Sequence, residues 1–300
     1  MVKTISIPQV HRDDRIGSVF NVLFQIINTC ENEDDIVLDF NGRTFFHPFF
    51  IAPLGIYCDT TDKKIQFINV NKDLSAYMDA IRFSVPKILT QAADIDEIIT
   101  KYKEKTYTPI CKFLTHSEER DKIESRIQHL IEIQSKATGS AKMPLTYLFS
   151  ELITNIVEHS QSKYGYIYSQ YLKKERCVDI CIADEGITIF GSYIRANKFI
   201  DDIQSNPAIA LQLAVGGHST KDLPDTENRG YGISTSIRML VEGLHGSFFI
   251  LSGGAFYRHD ATGATTVKLP ESIEWNGTII LLRIPIGNIP QNFDYYKYIE

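Results

Sequence analysis

Between residues 145 and 160, apolar side chains recur at steps of three and four positions, with polar side chains between them. This spacing predicts an amphipathic helix with one side in a hydrophobic core. On the other side, Glu151, Asn155 and His159 follow each other at four-residue steps and therefore form one polar ridge along the helix. Such a ridge can hold a metal ion and a water molecule. It can also be a surface that faces solvent, and the helix pattern taken alone favours this second interpretation.

Residues 1–86 alternate between the strand pattern and the helix pattern. Strands are predicted for residues 2–7, 35–40 and 64–70, and helices for residues 15–28, 45–57 and 74–83. Pro48 and Pro53 leave the limits of the second helix open. Strands separated by helices predict a small α/β domain with parallel or mixed strand pairing.

The rest of the chain predicts a helical connector over residues 87–117, a second α/β domain over 118–286, and a tail over 287–300 that either docks or frays. Within the second domain, helices are predicted for residues 118–134, for the ridge and for 233–242. Strands are predicted for residues 165–171, 177–183, 247–252, 255–259, 265–269 and 278–284. The first two of these strands are predicted to form a hairpin, and the second strand ends in Asp184-Glu185-Gly186.

The composition narrows the class of protein. With 43% hydrophobic and 23% charged residues among 300, the chain can bury a core. Its net charge of −6 argues against binding to a nucleic-acid backbone. The five cysteines lack metal-ligand spacing, which is typical of free thiols in a reducing compartment. No uncharged run approaches the ~20 residues of a membrane helix. We therefore expect a cytoplasmic protein that binds neither membrane nor nucleic acid.

Four elements occur in a fixed order: a Glu-x-x-x-Asn-x-x-x-His helix, a strand that ends in Asp-x-Gly, a loop leading to Gly-x-Gly before a helix, and a late Gly277-Thr278. Each element alone is weak. Together they resemble the nucleotide-binding fold of the GHKL ATPases, the gyrase-type, histidine-kinase-type, mismatch-repair and heat-shock-chaperone ATPases, over about residues 120–285. The resemblance implies a two-layer α/β sandwich, with helices on one face of a mixed sheet, that binds ATP and Mg²⁺.

The resemblance also implies roles for single residues. Asp184 would accept the amino hydrogens of adenine, and Thr278 would support this contact directly or through water. Gly186 would let the backbone pass close to the base. Asn155 would be the magnesium ligand, and Glu151 would be the general base that activates water or a substrate hydroxyl.

For the phosphates, Gly230 and Gly232 would expose N–H groups at the start of a helix, where the helix dipole attracts anions. Residues 205–229 resemble the mobile lid that closes over ATP in this family. Candidate phosphate contacts in it are Ser219, Thr220 and Lys221. His159 would lie near the nucleotide, although a structural histidine fits the pattern as well.

One position departs from the family pattern. The first glycine box of the family is Asp-x-Gly-x-Gly, and Thr188 occupies the place of its second glycine. A side chain there is expected to narrow the adenine side of the pocket or to restrict the backbone. No Gly-x-x-x-x-Gly-Lys-Ser/Thr sequence occurs in the chain, which excludes a P-loop NTPase.

The N-terminal domain resembles the STAS domain of anti-anti-sigma factors. The resemblance rests on Val37-Leu-Asp-Phe-Asn-Gly-Arg-Thr-Phe-Phe, a helix and the strand around residues 67–70. The serine that becomes phosphorylated in STAS domains would fall near His47-Pro48-Phe49, where no serine occurs. A structural or docking role is therefore expected, and a generic α/β unit remains an alternative.

Within the GHKL group, residues 150–159 are most similar to the serine kinases that act as anti-sigma factors. We therefore expect a Mg-ATP-dependent regulatory protein, in the leading hypothesis a serine/threonine protein kinase with a protein partner. One alternative is a slow ATPase whose closure over ATP drives self-association, for example into a homodimer, or partner release. The other is a nucleotide-sensing module without turnover.

Overall fold

The computed structural model describes residues 2–8, 16–30, 32–137, 139–220, 231–290 and 292–299. Within these ranges the chain is an α/β protein with two sheets and eleven α-helices. The strands are β1 (Val2–Ser6), β2 (Asp35–Asp39), β3 (Lys64–Ile68), β4 (Lys87–Leu89), β5 (Cys111–Leu114), β6 (Tyr164–Leu172), β7 (Cys177–Asp184), β8 (Ser247–Gly253), β9 (Ala255–Asp260), β10 (Gly263–Lys268) and β11 (Trp275–Ile284). The helices are α1 (Phe20–Cys30), α2 (Pro48–Thr60), α3 (Lys72–Ala80), α4 (Ala92–Tyr102), α5 (Arg120–Ser135), α6 (Lys142–His159), α7 (Ile189–Ala196), α8 (Ile200–Ile203), α9 (Pro207–Val215), α10 (Tyr231–Arg238) and α11 (Tyr296–Ile299).

The two sheets differ in size and pairing. The small sheet has the order β1-β2-β3, and all three strands are parallel. The large sheet has the order β10-β9-β8-β11-β7-β6-β5-β4 and is antiparallel except for the parallel pair β4 and β5. The expected α/β class and the β6–β7 hairpin are therefore confirmed. The mixed sheet expected for residues 118–286 differs from the structure, because the described strand pairs within that range are all antiparallel and the parallel pair of β4 and β5 lies in the expected connector.

Helix α2 connects the N-terminal unit to the large sheet. Its residues Pro48 to Ile56 are all buried, as expected for a helix that is apolar all round. Pro48 occupies the first turn, where a missing N–H costs nothing, and the His47 ring caps the helix by accepting a hydrogen bond from the Phe49 N–H at 3.1 Å. Pro53 lies inside the helix without ending it. The helix therefore begins at Pro48 and ends at Thr60, three residues later at each end than the predicted range 45–57.

Both faces of the large sheet are covered. Apolar residues of α5, α6 and α10 pack on one face, and those of α1 and α2 pack on the other. Since the N-terminal unit and the large sheet share one core, the C-terminal part has more layers around it than the expected two-layer sandwich. The covering follows from a sheet that is apolar on both faces, as in β7, where all eight residues are buried.

The expected helical connector, residues 87–117, contains strands as well as a helix. Besides α4 it contributes β4 and β5, and β5 pairs with β6. Both strands are short, at three and four residues, so neither gives an alternating pattern long enough to read from the sequence.

The described part of the C-terminal tail packs on the protein. The rings of Phe293 and Tyr298 stack with centroids 5.8 Å apart, and a Cβ added at Gly243 would lie 2.8 Å from the Tyr298 ring. Gly243 ends the π-helical turn Met239–Gly243 that continues α10. None of the helices in the described ranges combines the length and apolar character that crossing a bilayer requires.

Candidate functional site

The polar ridge of α6 lines a cavity of about 380 Å³. The apolar side of the helix is buried, whereas Glu151, Asn155 and His159 are half-buried and face the cavity. The ridge is therefore not an ordinary solvated helix surface, although the helix pattern alone favoured that interpretation.

The cavity brings together eight of the residues that the sequence singled out. They come from α6, from the ends of β7 and β11, from the segment after α9 and from the start of α10: Glu151, Asn155, His159, Asp184, Ser219, Thr220, Gly232 and Thr278. Gly186 lies beside the cavity without lining it. Lys221 and Gly230 lie outside the described residues, as does most of the second half of the expected lid, residues 221–229.

Asp184 and Thr278 are direct partners in the antiparallel pairing of β7 and β11. Asp184 is only 2% exposed, and its Oδ1 accepts a hydrogen bond from the Gly186 N–H at 2.9 Å. Burial raises the pKa of the Asp184 carboxyl from its ordinary value of 3.8 to about 7, against the lowering effect of hydrogen bonds from the backbone of Gly186 and Thr278. Burial thus favours the neutral form of the Asp184 carboxyl, whereas the two backbone hydrogen bonds favour the carboxylate.

Two glycines permit close packing around Asp184. A Cβ at Gly186 would lie 2.0 Å from the Ser160 carbonyl oxygen, at the end of α6. Gly277 has φ +90°, and a Cβ there would lie 2.2 Å from the Asp184 carbonyl oxygen. Gly186 therefore allows the loop after β7 to approach the end of α6, and the expected approach of its backbone to a ligand stays a prediction.

Ser252 on β8, which the sequence did not indicate, does not line the cavity but contacts two residues that do. Its hydroxyl lies 2.9 Å from the Thr278 hydroxyl and accepts a hydrogen bond from the Ile189 N–H at 2.8 Å. Ser252 could be identified only from the register of β11 and β8, which sets Thr278 opposite Ser252, and this register is known only once the strands are paired. Ser252 holds the Thr278 side chain and the start of α7 together.

Thr188, which stands in the place of a glycine, directly precedes α7. Its hydroxyl oxygen accepts a hydrogen bond from the Gly191 N–H at 3.0 Å and so caps the helix. Thr188 also lines the cavity, and the narrowing of the pocket by its side chain stays a prediction. Thr188 therefore stabilises the start of α7 with its side-chain hydroxyl, which a glycine at this position would lack.

At the other end of the cavity, the start of α10 lies against the ridge. A Cβ at Gly232 would be 2.5 Å from Glu151 Oε2 and 3.5 Å from Asn155 Nδ2. Asn155 Nδ2 donates a hydrogen bond to the Glu151 carbonyl oxygen at 2.9 Å. Because this bond uses the amide nitrogen, Asn155 Oδ1 is the atom left to bind a ligand, and it accepts no hydrogen bond from the described residues.

Residues 218–220 close one side of the cavity. Thr220 Oγ1 lies 3.1 Å from His159 Nδ1 and 3.4 Å from Ser192 Oγ, and the Tyr193 hydroxyl donates a hydrogen bond to the His218 carbonyl oxygen. Tyr193 was not indicated by the sequence, because its contact depends on the packing of α7. His159 and Thr220, both expected to contact nucleotide, contact each other.

The described lining of the cavity is acidic. It contains the carboxylates of Glu151, Glu158 and Asp184, and no Lys or Arg occurs among the lining residues that the structure describes. No group of three or more His, Cys, Asp or Glu side chains within the described ranges is arranged to hold a metal ion. A polyanionic ligand would therefore need to bring a cation with it.

Several lining residues are apolar, among them Ile187, Ile250 and Ile280. Apolar walls beside convergent polar groups are the usual form of a small-molecule site.

Comparisons of the chain with protein-family models, with curated proteins and with solved structures found no match. The functional interpretation therefore rests on the residues around this cavity and on their chemistry.

Proposed function

We propose that the protein is a Mg-ATP-binding regulatory protein and that the cavity between α6, β7, β11 and α10 is its nucleotide pocket. The observation that carries the proposal is the meeting of groups from residue 151 to residue 278 around one cavity. Each group suits one part of the ligand or one step of the reaction. A hydrogen-bond acceptor suits the base, an amide oxygen suits a cation, a second carboxylate can take up a proton, and the start of a helix suits phosphate.

The adenine end is the end at Asp184. When ionised, its carboxylate accepts hydrogen bonds from an exocyclic amino group, and such a charged hydrogen bond contributes ~1.5–3 kcal/mol. Ile187, Ile250 and Ile280 supply the apolar walls that a planar base needs. The hydroxyl pair of Thr278 and Ser252 supports the polar edge.

The phosphate end is the end at Gly232, where α10 begins against Glu151. Mg²⁺ would be held by Asn155 Oδ1 together with phosphate oxygens, and it would neutralise the phosphate charge that the acidic lining does not. The donor set fits this ion, since carboxamide and carboxylate oxygens are the ligands that it prefers. Asn155 is oriented for the purpose by its hydrogen bond to the backbone of Glu151.

Glu151 is the proposed general base. It takes the proton of the attacking hydroxyl while the new O–P bond forms and ADP leaves. The attacking group is a protein serine or threonine in the leading hypothesis, so that a phosphoprotein is the product. With water in its place, the same groups hydrolyse ATP.

The test is a transfer assay with ATP labelled in the γ-phosphate, with wild type and Glu151→Gln, incubated with and without candidate protein partners. The proposal expects label on a partner or in released phosphate for wild type, and a loss of both of at least a hundredfold in Glu151→Gln with ATP affinity kept within about threefold. Label on a partner selects the kinase, and label in phosphate alone selects the ATPase. Binding without either product would overturn catalysis and leave a nucleotide sensor.

A further inference from the structure

We propose that His159 and Thr220 are a positioning pair. Their hydrogen bond fixes residues 216–220, which follow α9, at the pocket and so sets the rate at which nucleotide leaves. The inference rests on the proposed function, because it assigns a role to residues of the same pocket. It differs from the expectation drawn from the sequence, in which both side chains contact nucleotide.

The segment before Thr220 is already fixed to α9. The N–H groups of Gly216, Gly217 and His218 donate hydrogen bonds to carbonyl oxygens in the last turn of α9, at 2.9, 3.1 and 3.0 Å. Gly217 has φ +90°, so the chain turns sharply after the helix. Residues 216–218 therefore move with α9, and a contact at Thr220 fixes the end of that unit.

The hydroxyl of Thr220 is held from two sides, by His159 of α6 and by Ser192 of α7. The hydrogen bonds are compatible in either tautomer of His159. If Nδ1 is unprotonated, Thr220 donates to it and accepts from Ser192. If Nδ1 carries the proton, Thr220 accepts from it and donates to Ser192. In both cases the hydroxyl is used within the protein.

The same end of α6 also holds the loop at the adenine end. The Ile187 N–H donates a hydrogen bond to the Ser160 carbonyl oxygen at 2.6 Å, next to His159 in sequence. Thus the loop after Asp184 and the segment that ends at Thr220 are both tied to the last residues of α6. A nucleotide between Asp184 and α10 can leave more easily when one of these ties is broken.

The first test needs no ligand. Hydrogen–deuterium exchange at the amides of residues 213–220 is measured for wild type, Thr220→Val and Thr220→Ser. Valine has the shape of threonine without its hydroxyl, whereas serine keeps the hydroxyl. The proposal expects faster exchange in Thr220→Val and exchange close to wild type in Thr220→Ser. Equal exchange in all three proteins would overturn the anchor.

The second test measures the dissociation rate of a fluorescent ATP analogue, chased with unlabelled Mg-ATP, for the same proteins and for His159→Leu, His159→Asn and the double variant His159→Leu/Thr220→Val. Loss of one hydrogen bond predicts a three- to tenfold faster dissociation in Thr220→Val and in His159→Leu. Asparagine presents a polar atom near the position of Nδ1, so the dissociation rate of His159→Asn should lie between those of His159→Leu and wild type. The double variant should be no faster than either single one.

The outcomes separate the two proposals. If wild type binds nucleotide and Thr220→Val releases it at the wild-type rate, the positioning role is wrong and the nucleotide pocket stands. If the effects of His159→Leu and Thr220→Val add up in the double variant, the two residues act separately and the pair is overturned. If wild type binds no nucleotide, the proposed function fails, and with it the control of release, while the exchange experiment still decides whether the anchor exists.

Discussion

Asp184 and Thr278 lie opposite each other on β7 and β11, and together they form a polar patch in an otherwise apolar part of the large sheet. Asp184 is almost completely buried, and burial raises the pKa of its carboxyl to about 7. Because burial disfavours its ionised form, this carboxyl lowers the free energy of unfolding when it is ionised. Its presence at a cavity is therefore typical of a functional group.

Asp184→Asn should stabilise the protein in the absence of ligand. The folded pKa of about 7 lies above the ordinary value of 3.8, so the folded state binds more protons in this interval, and the free energy of unfolding falls as pH rises from about 4 to 7. The pKa shift corresponds to a decrease of up to ~4 kcal/mol in the free energy of unfolding at pH 8. A neutral amide at residue 184 avoids this decrease. Urea unfolding should show the variant more stable than wild type at pH 8 and the difference shrinking toward pH 5.

A matched control is Asp201→Asn, because Asp201 is exposed on α8. It should leave the free energy of unfolding unchanged within ~0.5 kcal/mol at both pH values. An Asp184→Asn protein that is less stable than wild type by equal amounts at pH 8 and pH 5 would show that the hydrogen bonds of the carboxyl outweigh its burial.

Gly232→Ala should reduce turnover more than it reduces binding. The new methyl group would lie 2.5 Å from Glu151 Oε2, which is the end of a flexible side chain, so Glu151 must move while the fold can remain. A displaced base loses ~10²-fold in rate for a shift of about 1 Å. The measurement is kcat for ATP consumption beside ATP affinity. Gly254→Ala is the control, since a methyl group there has its nearest neighbour at 3.7 Å.

If Gly232→Ala lowered affinity and left kcat unchanged, Glu151 would have no part in the chemical step. The prediction therefore also tests the assignment of the base independently of a substitution at Glu151 itself.

The sequence predicted the elements that have a clear period. The ridge helix, the β6–β7 hairpin and the four closing strands all occur in the structure, since their patterns run over five or more residues. The strands β4 and β5 were missed because they are too short to show a period.

The site shows the same limit. Glu151, Asn155 and His159 could be grouped because a helix fixes their spacing, and Asp184 because it ends a strand. Ser252 and Tyr193 could not be found, because their contacts depend on strand register and on the packing of α7 against residues 218–220. The burial of α2 between the two sheets likewise depends on contacts between distant parts of the chain.

Asp179→Ala should strongly destabilise the whole molecule. The Asp179 carboxylate, 1% exposed, accepts hydrogen bonds from Arg283 Nε at 2.8 Å and Nη2 at 2.6 Å, and Arg283 also contacts His47 at the start of α2. Removal of one partner of a buried pair costs about 3–5 kcal/mol. Urea unfolding can be followed by the fluorescence of Trp275, the single tryptophan, which reports on the packing of α2 because the Trp275 ring lies beside Tyr57 of that helix.

The control is Asp121→Ala, which removes the exposed ion pair with Arg120 and should cost no more than ~1 kcal/mol. Circular dichroism should follow the same transition as Trp275 fluorescence, since the N-terminal unit and the large sheet share a core. Two separate transitions in wild type would contradict that shared core.

The central claim is that the cavity at Asp184 binds adenine nucleotide, and calorimetric titration of Mg-ATP into wild type, Asp184→Asn and Asp201→Asn at pH 8 tests it most directly. At this pH the Asp184 carboxyl is mostly ionised. Loss of a charged hydrogen bond to the base predicts a ten- to hundredfold weaker affinity in Asp184→Asn, with Asp201→Asn equal to wild type. Mg-ATP affinity that is the same in Asp184→Asn as in wild type, or no binding by wild type, would contradict the account.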